Sequence, residues 1–363
     1  MKQYQVGIIG GTGMVGQRLV TFVSKHPWFH LKMIAASGRS AGKTYHQAIE
    51  SRWKLDVPCP PEAECLIVMD AIADAEIIAA ACDFCFCAVD MKKEEIIALE
   101  THYAKLECPI VSNNSANRWA EDVPMVVPEI NAAHIAVINA QRERLGTKRG
   151  FIAVKSNCSL QSYVPALHPL MKYGLDKVLV CTYQAISGAG KTFNEWPEMV
   201  DNVIPFISGE EEKSEQEPLK IWGHIEGKRI VCAESPCITA QCFRVPCQDG
   251  HMAACFMKFQ EGCKPTIEQI KSEWIKYQSP ISDLKLPSAP KQFLHYFEEE
   301  NRPQTRLDRN LEHGMAISIG RLRPDTQYDY KFACLSHNTL RGAAGGSILL
   351  AELLCKTGYI TQK

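Results

Sequence analysis

Apolar positions along the chain fall into two textures. Over roughly the first 155 residues, short apolar runs alternate with stretches of helical spacing. YQVGIIG (4–10) is a β-rich run, and after GTGMVG the segment QRLVTFVSKH (17–26) sets Leu19, Phe22 and Val23 on one helical face. LKMIAAS (31–37), CDFCFCAVD (82–90) and CPIVSN (108–113) predict further strands. The amphipathic MKKEEIIALETHYAKLE (91–107) predicts a helix between the last two. Strands alternating with helices mean βαβ units, a parallel sheet and right-handed crossovers.

The second texture has fewer helices. VLVCTYQAIS (178–187), KRIVCAE (228–234), ITAQCFRVP (238–246), HMAACFMKF (251–259) and MAISIGRLR (315–323) are strand-like. RGAAGGSILLAELLCKTGY (341–359) reads as a helix. The predicted fold is α/β. A Rossmann-type parallel sheet over 1–155 precedes an α+β domain over 156–336 with a mixed, largely antiparallel sheet.

Composition narrows the function. With 363 residues the chain is long enough for two domains, each with its own core. Apolar residues are 46%, charged residues 22%, net charge is -1 and pI about 6.8. No global field therefore recruits nucleic acid or an anionic membrane. MKQYQVGIIGG is too short in apolar residues for a signal peptide, and a glycine loop follows where a cleavage region belongs. No run of 18 apolar residues predicts a membrane span. The 16 cysteines are read as reduced thiols in a cytoplasmic protein. Cys232, Cys237, Cys242 and Cys247 recur every five residues, which matches no zinc-ligand spacing, so no metal is expected.

Gly11-x-Gly13-x-x-Gly16 lies between a predicted strand and helix, the context in which a pyrophosphate rests on a helix N-terminus. The alternative is a plain glycine-rich turn. No Asp or Glu occurs before Glu50 to take ribose hydroxyls; the second strand ends in Ala36-Ser37-Gly38-Arg39-Ser40. A guanidinium and two hydroxyls suit a 2′-phosphate, which favours NADP, unless Arg39 is merely a solvated loop residue.

FIAVKSNCSLQSY (151–163) sets Cys158 ahead of Leu160, Val164, Leu167 and Leu170, so a helix is predicted from Asn157 or Cys158. A thiol in a first helical turn is expected to ionise more readily, although buried structural cysteines are common. In FRVPCQDGHMAAC (243–255), Asp249-Gly250 predicts a two-residue hairpin with Arg244 opposite Cys255, so that Arg244 and His251 share one sheet face. His251 could equally be a solvated hairpin-end residue. GEEEKSEQE (209–217) reads as a charged helix face, on which Glu210 and Lys213 could meet one zwitterionic ligand.

GGTGMVGQ, ASGRSAGK, DVPMVVPEIN, SNCS, ISGAGK, NVIPFISGEEEK, RVPCQDGH and HNTLRGAAGG occur in this order along the chain. Together they resemble the aspartate-semialdehyde dehydrogenase family, in its archaeal and fungal branch, over nearly the whole length. The resemblance implies Cys158 as nucleophile, His251 as acid/base catalyst and Gln184 as orienter of the acyl group. It implies Arg244 on the substrate α-carboxylate, Glu210 on its α-ammonium, and Lys213 and Arg118 on phosphate. NADP would be bound by Gly11, Thr12, Gly13, Met14, Val15 and Gly16, by Ser37, Arg39 and Ser40, and by Ser187 and Gly188. Asn338 and Gly342 would close over the nicotinamide half, returning 337–363 to the first domain. A homodimer or homotetramer follows from the same resemblance, as does a place in lysine, threonine and methionine biosynthesis. The chain departs from the family at Leu160, where a threonine is usual, and at Cys247, where an aliphatic residue is usual. Two other functions fit parts of the pattern: an acyl-CoA reductase of the malonyl-CoA type on the same scaffold, and a non-catalytic NADP-binding regulator.

Overall fold

The computed structural model describes residues 3–363. Six parallel strands form the first sheet: β1 (Tyr4–Ile9), β2 (Phe29–Ala36), β3 (Val68–Asp70), β4 (Phe84–Cys87), β5 (Ile110–Ser112) and β6 (Ile152–Val154). Their order is β3-β2-β1-β4-β5-β6. The order reverses between β1 and β4, so a crevice opens at their carboxyl ends, beside the glycine loop. All four residues of β4 are buried, which accounts for the unbroken apolar run that replaces a strand's usual alternation. Helix α1 (Met14–Ser24) buries Leu19, Val20 and Val23, and α2 (Lys93–Lys105) buries Ile96, Leu99 and Tyr103. A Cβ on Gly16 would stand 2.2 Å from the Gly10 carbonyl oxygen, so only glycine lets α1 approach the loop this closely.

The second sheet has the order β10-β7-β11-β14-β13-β12. Its strands are β7 (Leu175–Gln184), β10 (Cys237–Arg244), β11 (His251–Phe259), β12 (Leu294–Phe297), β13 (Ile317–Pro324) and β14 (Tyr330–Ser336). Three of its five pairings are antiparallel; β10·β7 and β12·β13 are parallel. A small ribbon of β8 (His224–Glu226) and β9 (Arg229–Val231) stands apart. Helix α3 (Glu210–Ile221) packs on β10. The final helix, α4 (Gly345–Lys356), shares an apolar cluster with β1 and α1, in which Ile348, Leu350 and Leu353 meet Val6, Ile8 and Leu19.

Two local expectations fail. The Asp249-Gly250 hairpin does not form: β10 and β11 lie on opposite sides of β7 and never pair. Residues 245–250 instead cross the end of β7, with Val245 N donating to Gln184 O and Ile186 N to Cys247 O. A strand 60 residues upstream out-competes the local turn, although the reversal still uses Gly250, at φ +101°. The single helix expected from Cys158 is broken into a 3-10 turn (Ser159–Gln161), one α-turn (Val164–Leu167) and a second 3-10 turn (His168–Tyr173). Pro165 and Pro169 each remove an N–H that a continuous helix would need.

Candidate active site

Pairing across β7 does what the hairpin was expected to do. Arg244 of β10 lies opposite Gln184 of β7, and Met252 of β11 lies opposite Tyr183. Arg244, Gln184 and His251 therefore end three adjacent strands at one level, all on the buried side of the sheet. Arg244 Nη1 donates to the Ala185 carbonyl at 2.7 Å, and Ala185 N donates to His251 Nδ1 at 3.0 Å. His251 Nε2 stands 3.5 Å from Cys158 Sγ. A Cβ added at Gly188 would lie 2.9 Å from Arg244 Nη1 and 3.0 Å from His251 Nε2, so both groups face that glycine.

Cys158 caps the short 3-10 turn, which is too brief to carry much dipole. Burial pushes its thiol upward and Glu210 adds to this, while Lys155, Arg118 and Arg244 pull the other way. The readily ionised thiol expected from a helix start is thus corrected: cations, rather than a helix, must offset the cost of burial. His251 is held neutral, first by burial and then by Arg244 and His337.

Helix α3 supplies the other wall. Glu210, Lys213 and Glu217 recur at helical spacing, and the face expected to be solvated is largely buried. Glu210 Oε1 accepts from Asn157 Nδ2 at 2.8 Å and Lys213 Nζ at 2.9 Å, and its Oε2 from Gln184 Nε2 at 3.2 Å. Glu217 joins Arg118 Nη1 at 2.8 Å to the Asn157 backbone N–H at 2.7 Å. Pro218 leaves the Ser214 carbonyl without its helical donor, and the Tyr163 hydroxyl replaces it at 2.7 Å. Of these groups Glu210, Lys213, Asn157 and Arg118 border, with Cys158, a cavity of about 250 Å³ that also takes in Val15, Ser187, Gly188, Asn338 and Gly342; Gln184, Arg244 and His251 lie behind its wall. Asn338 is fixed from both ends, accepting from Gly250 N and donating to Ser187 Oγ, each at 2.8 Å. Leu160 belongs to the apolar core, so the missing threonine removes no group from the cavity wall.

Successive residues of the glycine loop border three recesses. Thr12 and Gly13 line a groove of about 330 Å³ with Ser37, Arg39 and Arg52; Met14 lines a larger hollow; Val15 faces the Cys158 cavity. The loop is braced from below by Tyr45 Oη on Gly11 O at 2.8 Å and Gln17 Nε2 on Thr12 O at 3.1 Å. Arg39 and Arg52 suit a nucleotide phosphate, and in the same groove Asp70 accepts through Oδ1 from the N–H groups of Ile72 and Ala73. Ser40 lies beneath the groove, 2% exposed, with its hydroxyl taken by Arg52.

Sequence reasoning missed Arg52, Asn157, Lys155 and Glu217. Lys155 had a signal, being a charged residue directly after the buried strand β6, at the carboxyl edge where such sheets place ligands. Glu217 had one too, seven residues beyond Glu210 on the same helix face.

A parallel sheet with a nucleotide loop, opening beside a half-buried cysteine in contact with a buried histidine, is the arrangement of a dinucleotide-dependent oxidoreductase. Residues 5–138 match the semialdehyde dehydrogenase NAD-binding domain, and residues 167–341 match the semialdehyde dehydrogenase dimerisation domain. The chain is 40% identical to the aspartate-semialdehyde dehydrogenase of Archaeoglobus fulgidus, over 99% of this chain and 100% of that protein. It is also 40% identical to the Aspergillus fumigatus enzyme, over 98% of each. The crystal structure of the Candida albicans aspartate-semialdehyde dehydrogenase with NADP superposes with a TM-score of 0.89 at 36% identity, covering 99% of this chain and 100% of that one. The chain belongs to the aspartate-semialdehyde dehydrogenase family.

Proposed function

We propose that the chain is an NADP-dependent aspartate-semialdehyde dehydrogenase. It converts L-aspartyl-4-phosphate to L-aspartate 4-semialdehyde through a thioester on Cys158, in the biosynthesis of lysine, threonine and methionine. The observation that carries this reading is the 3.5 Å contact between the buried His251 and Cys158, which borders a cavity shared with Arg118, Glu210 and Lys213.

Arg244 takes the substrate α-carboxylate and Glu210 its α-ammonium, which sets the acyl carbon over Cys158 with Gln184 orienting the carbonyl. Cys158 attacks as thiolate, and His251 Nε2–H donates to the oxyanion that develops. Arg118 and Lys213 neutralise the phosphate as it departs. The residues that fit NADP are Gly11, Thr12, Gly13, Met14, Val15, Gly16, Ser37 and Arg39, with Ser187, Gly188, Asn338 and Gly342 toward Cys158; Ser40 acts indirectly, by holding Arg52. When bound, NADPH supplies the hydride. Cys158 is then expelled as thiolate as the thiohemiacetal oxyanion collapses, releasing the aldehyde. The second sheet, with Tyr183 exposed and stacked on Phe243 at 5.9 Å, suits a homodimer face. No helix among the described residues is long and apolar enough to cross a membrane, and a cytoplasmic enzyme is the reading we adopt.

The test is phosphate-dependent reduction of NADP with aspartate semialdehyde, run beside NADPH oxidation with malonyl-CoA. Activity in the first and none in the second is expected, since a malonyl group offers Glu210 no ammonium. The reverse result would identify an acyl-CoA reductase, and inactivity in both would favour a non-catalytic regulator.

A further inference from the structure

Buried charges outside the reacting groups are matched in different ways. Glu129 and Arg341 hold each other, and Lys220 Nζ donates to the carbonyls of Arg118, Ala120 and Val123. Glu100, 0% exposed on α2, is held by neutral donors instead. Its Oε1 accepts from Ser112 Oγ at 2.5 Å and from Asn114 Nδ2 at 2.9 Å, and its Oε2 from Asn117 Nδ2 at 2.7 Å. Burial pushes this carboxyl upward, and Ser112, Asn114, Asn117 and Cys87 pull it back. The cost of burying the carboxylate is offset only while these donors stay aligned on it.

The donors belong to the chain that leads to Arg118. Ser112 ends β5, and residues 113–120 form neither helix nor strand. Their internal backbone bonds are single turns, Arg118 N donating to Ser115 O and Ala120 N to Asn117 O, each at 3.2 Å. The loop has two sides. Asn113, Ser115 and Arg118 border the Cys158 cavity, whereas Asn114 and Asn117 reach back to Glu100. Asn114 N also donates to Ser112 Oγ at 3.0 Å, which closes the grip on the first turn. The Arg118 guanidinium is aimed by the Lys155 carbonyl at 3.0 Å and by Glu217 at 2.8 Å. The backbone it springs from is placed by the asparagines, and so by Glu100.

We propose that Glu100 is a positioning residue for the phosphate subsite: standing outside the cavity, it fixes the loop 113–118 so that Arg118 meets the phosphate of the acyl phosphate. It touches neither substrate nor cofactor, and it acts through Asn114 and Asn117. This deepens the reading of Arg118 as a phosphate ligand and rests on it.

The experiment is steady-state kinetics of the full enzyme in the direction of aspartate semialdehyde oxidation, varying phosphate and the aldehyde in turn, beside a thermal melt of each variant. Glu100→Met keeps the length of the side chain and removes both acceptor oxygens. Its phosphate KM is expected to rise about tenfold or more, with the aldehyde KM within about twofold of wild type. Glu100→Gln keeps one acceptor oxygen, and the Asn117 amide can turn to accept from its –NH2, so its phosphate KM should stay within about threefold. An unchanged phosphate KM in folded Glu100→Met overturns the inference, as does a parallel rise in both KM values, the mark of general damage. Equal losses in Glu100→Gln and Glu100→Met also overturn it, because the carboxylate would then act by its charge and not by holding the loop. If Glu100→Met is unfolded at the assay temperature, Asn117→Ala decides: a rise confined to the phosphate KM supports the inference, and an unchanged value or a parallel rise refutes it. Failure of the underlying reading looks different, because Arg118→Ala would then leave the phosphate KM unchanged.

Discussion

Gly342→Ala is a small perturbation at a crowded point of the cavity wall. Gly342 lies in the helical turn Leu340–Ala344 at negative φ, so alanine brings no backbone strain of its own. Its Cβ, however, would stand 2.9 Å from Cys158 Cβ and 3.3 Å from Cys158 Cα. Carbon atoms in contact need about 3.5 Å, so the cysteine must retreat by roughly 0.6 Å. A shift of that size disturbs the 3.5 Å contact between Cys158 and His251. Misplacement of a reacting group by about 1 Å can cost ~100-fold, so kcat should fall about 10- to 100-fold. The overpacking itself should cost about 1–3 kcal/mol of stability. Steady-state kinetics read the first effect and a thermal melt reads the second. Wild-type kcat in the folded variant would refute the crowding argument. A melt showing the variant unfolded at the assay temperature would point to general damage instead.

Arg39→Ala should weaken NADPH binding about 10- to 100-fold, the worth of a charge-assisted contact to the 2′-phosphate, and leave NADH binding unchanged; equal losses for both cofactors would remove Arg39 from that role. Burial depresses His168 from 6.5 to about 4, so the folded protein keeps this ring neutral where the unfolded chain would protonate it. Its contribution is therefore fully present above about pH 6.5 and is lost as pH falls from there toward 4. The thermal midpoint should drop across that window, and His168→Gln should flatten the drop; an unchanged slope would contradict it.

How much of this was legible in the sequence depended on the range of each signal. The glycine loop, the strands around it and Cys158 announce themselves within ten residues, because spacing and chain geometry act at that distance. Arg244 and His251 were placed on one sheet face for a mistaken reason: the Asp-Gly turn suggested direct pairing, whereas β7 lies between their strands. The alternation visible in each strand fixes which face a residue takes but not which strand is its neighbour. Strand β14 escaped notice, since YKFACLS is short and its buried positions include the small Cys334 and Ser336. Glu217 and Lys155 look like ordinary surface charges until α3 is laid across the Asn157 loop. Their partners are 60 or more residues distant or belong to a loop with no periodicity. The Cys158 environment was the least legible, because the sequence showed helical spacing while two prolines dictated short turns.

The most direct test of the central claim runs the reaction backwards without phosphate. Enzyme mixed with NADP and aspartate semialdehyde should give a rapid burst of one NADPH per active site and then stall, leaving an acyl adduct on the peptide that contains Cys158, releasable by hydroxylamine. A burst of equal size in Cys158→Ala, or steady turnover with no adduct at residue 158, would contradict the account.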